Sequence, residues 1–248
     1  MNRAAIAFAV AALACSASAA HAQTAWTDRG YFDLSGDVRL SPTTFTTVAH
    51  PVDFAETATV ATNYDVTIAP GIDAAFGVRV WRNLALGVDA SWLRKPSSGA
   101  ISAQIPHPFF FNKPRSVSGD STGLDHTETA LHIQAVWMIP ATPRWSIALA
   151  GGPSWITVDQ AIVDDITITS AYPYDDATFS SAVSTKVSNS HIGFNVGGDV
   201  TYRMRPHAGV GVGVSFSQAS VPLPTASGAV VTVTAGGARV NGGLRVRF

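Results

Sequence analysis

Alternation at a period of two, with the charges gathered on one side of it, is the feature that most narrows what this chain can fold into. Over residues 32–40 the even positions carry Phe32, Leu34, Gly36, Val38 and Leu40, and the odd ones Asp33, Ser35, Asp37 and Arg39. Successive side chains of an extended chain point to opposite faces, so this stretch is a strand with one apolar and one polar face. The same pattern recurs over residues 63–81, 84–92, 124–138, 144–158, 190–204, 207–217 and 231–248. Eight strands are therefore predicted, an even number that suits an antiparallel barrel.

The connections fall into two kinds. Short turns are predicted near Asn83, at residues 140–143 and at Pro206, and long loops at residues 41–57, 95–123, 159–189 and 218–230. Short turns at one end and long loops at the other are the asymmetry of barrels that stand in a bacterial outer membrane, periplasmic below and extracellular above. The first residues agree with export. Asn2 and Arg3 precede an apolar run over residues 4–14, and Ala20-His21-Ala22 closes a signal peptide of residues 1–22, cut before Gln23. Cys15, the single cysteine, lies in that leader; lipidation there is a second fate, although Ala12 stands where a larger aliphatic is usual. The domain that remains is residues 23–248. It has no disulfide framework and no thiolate metal site.

Every span must be a strand, because no stretch after the leader is apolar over eighteen residues. Such alternation also fits a soluble barrel with apolar residues inside. Charge decides between the two. Only 13% of residues are charged, and Asp37, Asp73, Arg79, Asp89, Glu128, Asp199, Arg239, Arg245 and Arg247 share one face. They can pair in an interior, whereas a soluble exterior without charges would aggregate. The expected fold is all-β: a closed, eight-stranded, antiparallel transmembrane barrel of up-and-down topology. Acidic and basic residues nearly balance, 17 against 16, which leaves no polybasic face for nucleic acid.

The last residues, Asn241-Gly242-Gly243-Leu244-Arg245-Val246-Arg247-Phe248, alternate to a terminal aromatic. Asn241, Gly243, Val246 and Phe248 resemble the assembly signal that outer-membrane barrels present to the barrel-insertion machinery. With the leader and the even strand number, the chain resembles the small eight-stranded barrels related to the OmpA transmembrane domain and OmpX. That resemblance implies the bacterial outer membrane as its address, with lipid, lipopolysaccharide and the assembly machinery as partners. Peptidoglycan binding, the task of a further OmpA domain, is not carried over. Trp81, Trp137, Trp145 and Tyr202 flank the short turns, with Trp92 and Trp155 near the other strand ends, as two interfacial girdles require.

Three groups of residues carry chemistry. Asp37, Asp73, Arg79, Asp89, Glu128, His132, Asp199, Arg239 and Arg245 are expected to form a lumen network, read either as a plug that closes the barrel or as a gated narrow pore. His126 and Glu128 share a face near the top of the fourth strand, a histidine with a carboxylate to orient it, but no serine is tied to them by a motif. The segments 105–115 and 171–176 hold consecutive aromatics and prolines, which suit an ordered cap, a binding surface, or an anchor in which Lys113 and Arg115 meet lipopolysaccharide phosphates. His50, His107, His191 and His207 share no spacing, so no metal is proposed; no catalytic residue and no cofactor is assigned either. The expected role is a non-enzymatic, structural or surface-interacting barrel with a possible surface ligand. A narrow channel and a lipid A-modifying enzyme are the other readings.

Overall fold

A computed structural model describes residues 26–225 and 228–248. The expected signal peptide and its cleavage site lie outside the described residues. Twelve strands run in order: β1 (Gly30–Arg39), β2 (Thr43–Ala49), β3 (Val52–Asp53), β4 (Glu56–Thr57), β5 (Thr59–Val66), β6 (Ala69–Trp81), β7 (Leu84–Ile105), β8 (Arg115–Pro140), β9 (Trp145–Thr169), β10 (Thr178–Arg205), β11 (Ala208–Pro224) and β12 (Val230–Arg247). Eight of them close a ring, β1-β6-β7-β8-β9-β10-β11-β12, with β12 returning to β1. All ring pairings are antiparallel, so no edge is left in the wall.

The belt follows the predicted alternation. Leu86, Val88, Leu149, Val196, Val212 and Leu244 point outward and are exposed, while Asp33, Asp37, Ser91, His132 and Arg245 point into the lumen. Charges inside and bare apolar side chains outside fit a wall that faces lipid. From Trp145 to Trp155 on β9 the wall climbs about 33 Å along the strand, or about 25 Å along the membrane normal at a tilt near 40°. Trp81, Trp92, Trp137, Trp145 and Trp155 all face outward at its two rims. Trp145 also meets Tyr202, ring centroids 4.9 Å apart.

Above the upper rim the polarity reverses. On β7 the outward series passes from Leu86, Val88 and Trp92 to Arg94, Ser98, Ser102 and Gln104, as the inward series passes from Asp89 and Ser91 to Leu93, Ile101, Ala103 and Ile105. On β9, outward Leu149 and Trp155 give way to Thr157 and Asp159, and inward Ser146 and Ser154 to Ile156, Val158 and Ile162. The solvent changes from lipid to water at that level, so the face that must be apolar changes with it.

That reversal corrects the predicted loops. Most of residues 95–123, 159–189 and 218–230 are strand, not loop: hairpins β7/β8, β9/β10 and β11/β12 stay paired nearly to their tips. Residues 41–57 also correct, with β2 pairing β5 and β5 pairing β7 above the membrane. The predicted strand 63–81 is two strands, broken at Thr67 and Ile68. The hairpins enclose an apolar cap of their own, in which Tyr64, Ile101, Ile105, Val117 and Val163 are buried together, beside a second cluster of Ile156, Ile162, Val221, Leu223 and Val233. Gly236 and Gly237, at φ +92° and +113°, stand where β12 leaves its pairing with β1 and continues paired to β11 alone.

Candidate functional site

Polar side chains reach into the lumen at four levels. At the floor Trp26 is 3% exposed; its backbone N–H donates to Asn83 Oδ1 at 3.2 Å and its indole N–H to Asp28 Oδ2 at 2.9 Å. Arg79 donates to the Trp26 carbonyl and lies over the indole at 5.9 Å. Arg79 was expected among the lumen acids. The structure places it at the floor instead, because alternation gives a residue's face and not its height.

In the lower lumen Arg245 Nη2 donates to Asp199 at 2.6 Å and Arg245 Nη1 to Ser35 at 2.7 Å, while Arg247 donates to Asp33. The Tyr31 ring is seated where Gly77 and Gly87 leave room; a Cβ at Gly77 would lie 2.4 Å from it. A cavity of about 90 Å³ remains beside Tyr31, Asp73, Asp89, Gln134 and Asp199. Asp73 and Asp89 are neighbours on adjacent strands β6 and β7 in its wall, and among the described residues neither has a salt bridge within 4.0 Å.

At mid-height Arg239 donates to Asp37 at 3.1 Å and to Ser91 at 3.0 Å. His132 meets Ser154 at 2.7 Å, and Gln134 donates to Asn195 at 2.9 Å. Asn195 compensates for a fault in the wall. Pro153 has no N–H, the β8–β9 register skips from His132↔Ser154 to Ala135↔Gly151, and Asn195 Nδ2 donates to the Gly152 carbonyl at 2.9 Å. Asn195→Ala should therefore cost about 1–3 kcal/mol, read as a lowered unfolding midpoint in detergent, since it strips the part-buried Gly152 carbonyl and the buried Ser154 hydroxyl of their donor.

At the top of the lumen Glu128 is the hub, with a fully buried side chain. It accepts from Arg39, from His126 Nε2 at 2.8 Å and from the Gly236 N–H at 3.0 Å, with Arg239 at 3.7 Å. Gln160 meets the other ring nitrogen of His126 at 2.8 Å. The pairing of His126 with Glu128 exists, but the ring is buried and, among the described residues, its two nitrogens are taken up by Gln160 and Glu128. Of the nine residues expected in the lumen, Asp37, Glu128 and Arg239 form one network, Asp199 and Arg245 another, Asp73 and Asp89 a pair; His132 stands with Ser154 and Arg79 apart. Sequence reasoning left out Arg39, Gln160, Asn195 and Asp33, although the parity of Arg39 and Asp33 already put them inside.

At the far end of the cap three hairpin tips meet. The Asn112 N–H donates to Glu56 Oε1 at 2.9 Å, Lys113 to Asp175 at 2.6 Å and Arg115 to the Tyr174 carbonyl at 3.3 Å. Hydrogen bonding to Lys113, and its charge, hold the Asp175 carboxyl below the ordinary aspartate value of 3.8. A group lowered on folding stabilises above its unfolded pKa and loses that contribution as pH falls through its folded one. A carbon-detected NMR titration of Asp175 should thus show its midpoint below 3.8, and Lys113→Met should bring it back.

Charge is segregated along the barrel axis. Residues 41–66, 94–127, 157–191 and 218–237, the cap, hold ten carboxylates against five Lys and Arg. Around the short turns Arg29, Arg79, Arg82, Arg144, Arg203 and Arg205 face only Asp28.

No protein-family model and no curated protein matches the sequence. Among solved structures the chain is similar to Neisserial surface protein A, at 13% identity over 88% of this chain and 97% of that one, TM-score 0.43. It is similar to the outer membrane protein OprG from Pseudomonas aeruginosa, at 9% identity over 89% and 96%, TM-score 0.47. It is also similar to the outer membrane protease OmpT from Escherichia coli, at 10% identity over 92% and 99%, TM-score 0.40. The belt, the girdles and the closed ring described above make this chain an outer-membrane β-barrel.

Proposed function

We infer that the chain is a non-enzymatic surface protein, a barrel stoppered by its own polar side chains that works through its extracellular cap. The observation that carries this reading is the contrast between its two ends of interest. The lumen is crossed by ion-paired and hydrogen-bonded side chains from floor to top, whereas the tips of the cap expose aromatics that nothing among the described residues covers. The His126–Glu128 pair stands as part of the stopper, since a general base needs a reacting group within hydrogen-bond reach and this one is enclosed. Lipopolysaccharide phosphates are poor ligands for Lys113 and Arg115, because Lys113 is neutralised by Asp175 and Arg115 is buried.

Two measurements test the reading. Planar-bilayer recordings of the refolded protein should stay silent, and steady channels would overturn the closed lumen. Replacing residues 106–114 by a tight Asn-Gly turn should leave the barrel folded, because β7 and β8 pair from Ile105↔Arg115 down to Leu84↔Trp137 with one bulge at Ser97/Ser98. Failure of that variant to refold would make the tip a structural piece and remove the surface role.

A further inference from the structure

We propose that the joined tips of the cap bind a cationic, amphipathic polypeptide segment. This rests on the surface role just inferred and names its partner's chemistry.

The tips form a built platform. Phe109, Phe111 and Tyr172 are 67%, 71% and 85% exposed, and Phe109 lies edge-on to Tyr174 at 5.5 Å. Beneath them the framework is fixed. His107, 2% exposed, accepts the N–H groups of Phe109 and Phe110 at 3.1 and 3.3 Å through Nδ1, and buried Arg115 donates to the Pro106 carbonyl at 2.9 Å. The backbone is left-handed at Phe54, Ala55, Asn112 and Tyr174, in four non-glycine residues. A bulky residue at positive φ is unfavourable, and here the strain coincides with rings turned out to water. Covering the rings with a partner removes the cost of their exposure.

Charge selects that partner. Asp53 and Asp176 have no ion pair among the described residues, Glu56 only accepts a backbone N–H, and the one exposed cation of the platform, Lys113, is cancelled by Asp175. Acidic groups around aromatic faces match Lys or Arg interspersed with apolar side chains, through ion pairing and cation–π contact. Lys113 shows the mode within the chain, its Nζ 5.3 Å from the Phe110 ring. An anionic lipid surface or a sulfated oligosaccharide would meet repulsion from the same carboxylates.

The test uses the refolded protein in phosphatidylcholine nanodiscs, titrated calorimetrically with an amphipathic model peptide of Leu and Lys, with empty nanodiscs subtracted. The Leu/Lys peptide should bind, while its Leu/Glu counterpart and a sulfated oligosaccharide should not. Changing Phe109, Phe110 and Phe111 together to Ser should weaken binding about tenfold or more, as loss of aromatic anchors does. Asp53→Asn with Asp176→Asn should weaken it and flatten its salt dependence. These positions, exposed except for half-buried Asp53, lie at the tips away from the barrel wall, and the heat-dependent gel shift of the barrel verifies that the fold is intact. Equal binding of the acidic peptide, or binding untouched by the phenylalanine changes, would overturn the proposal. If no peptide binds while the Asn-Gly tip variant still refolds, the partner class falls and the surface reading stands; if that variant does not refold, the surface reading falls first.

Discussion

Glu128→Ala is expected to be the most damaging single change in this chain, lowering stability by about 3–5 kcal/mol, since removing one member of a buried ion pair strands the other. Arg39 is the one stranded: its side chain is wholly buried, and among the described residues its Nε and Nη2 have no partner to take over. Arg239 would keep Asp37, and His126 would keep Gln160, so the damage should concentrate at Arg39. The measurement is urea unfolding in lipid or detergent, followed by tryptophan fluorescence. The informative comparison is Arg39→Met with Glu128→Leu. If the loss comes from an uncompensated charge, the double substitution should recover most of it, because apolar replacement of a buried pair is often neutral. A double variant as unstable as Glu128→Ala would mean that the cluster holds the top of the lumen by shape and hydrogen bonding.

The second large effect tests where lipid ends. Leu149 faces outward near the middle of the belt, and Ser102 faces outward on the same wall above Trp92. Leu149→Arg should cost about 2–4 kcal/mol, as arginine does at the bilayer midplane of such barrels. Ser102→Arg should stay within about 0.5 kcal/mol, an ordinary surface substitution. Refolding into liposomes and comparing unfolding midpoints separates the two. Equal costs would place the water boundary above the cap and undo the reversal of polarity as an account of β7.

How far the sequence could be read follows from what alternation encodes. Within the belt a one-residue slip turns every side chain to the wrong face, so the runs through Leu86, Val88 and Trp92 or Val210, Val212 and Val214 are unambiguous. Above the belt the apolar members, Ile101 and Ala103 on β7 or Ile156 and Val158 on β9, occupy the opposite parity among many Ser and Thr. Read as a continuation, they look like patternless loop; read as a strand in water, they are regular. The lumen was legible by face and not by height. Parity put Arg79 with the acids, while the turn at Asn83 and the incoming Trp26 hold it at the floor. Gln160 was hidden in what reads as a loop, although it closes His126 from the neighbouring strand. The platform was half visible: the aromatic runs stand out in sequence, but their convergence depends on three tips widely separated along the chain.

The abrupt change of outward face at Trp92 and Trp155 also bears on the membrane itself. A wall whose apolar residues thin out gradually can ride higher or lower as bilayers thicken or thin. Here one rim is fixed by a buried apolar cap standing directly on it and the other by arginines clustered at the turns, so vertical travel would drown one set or expose another. The surrounding lipid must bend to the protein. Hydrophobic mismatch should then be taken up as local thinning of the bilayer, and the barrel should insert most readily where the hydrocarbon layer is already close to its own height.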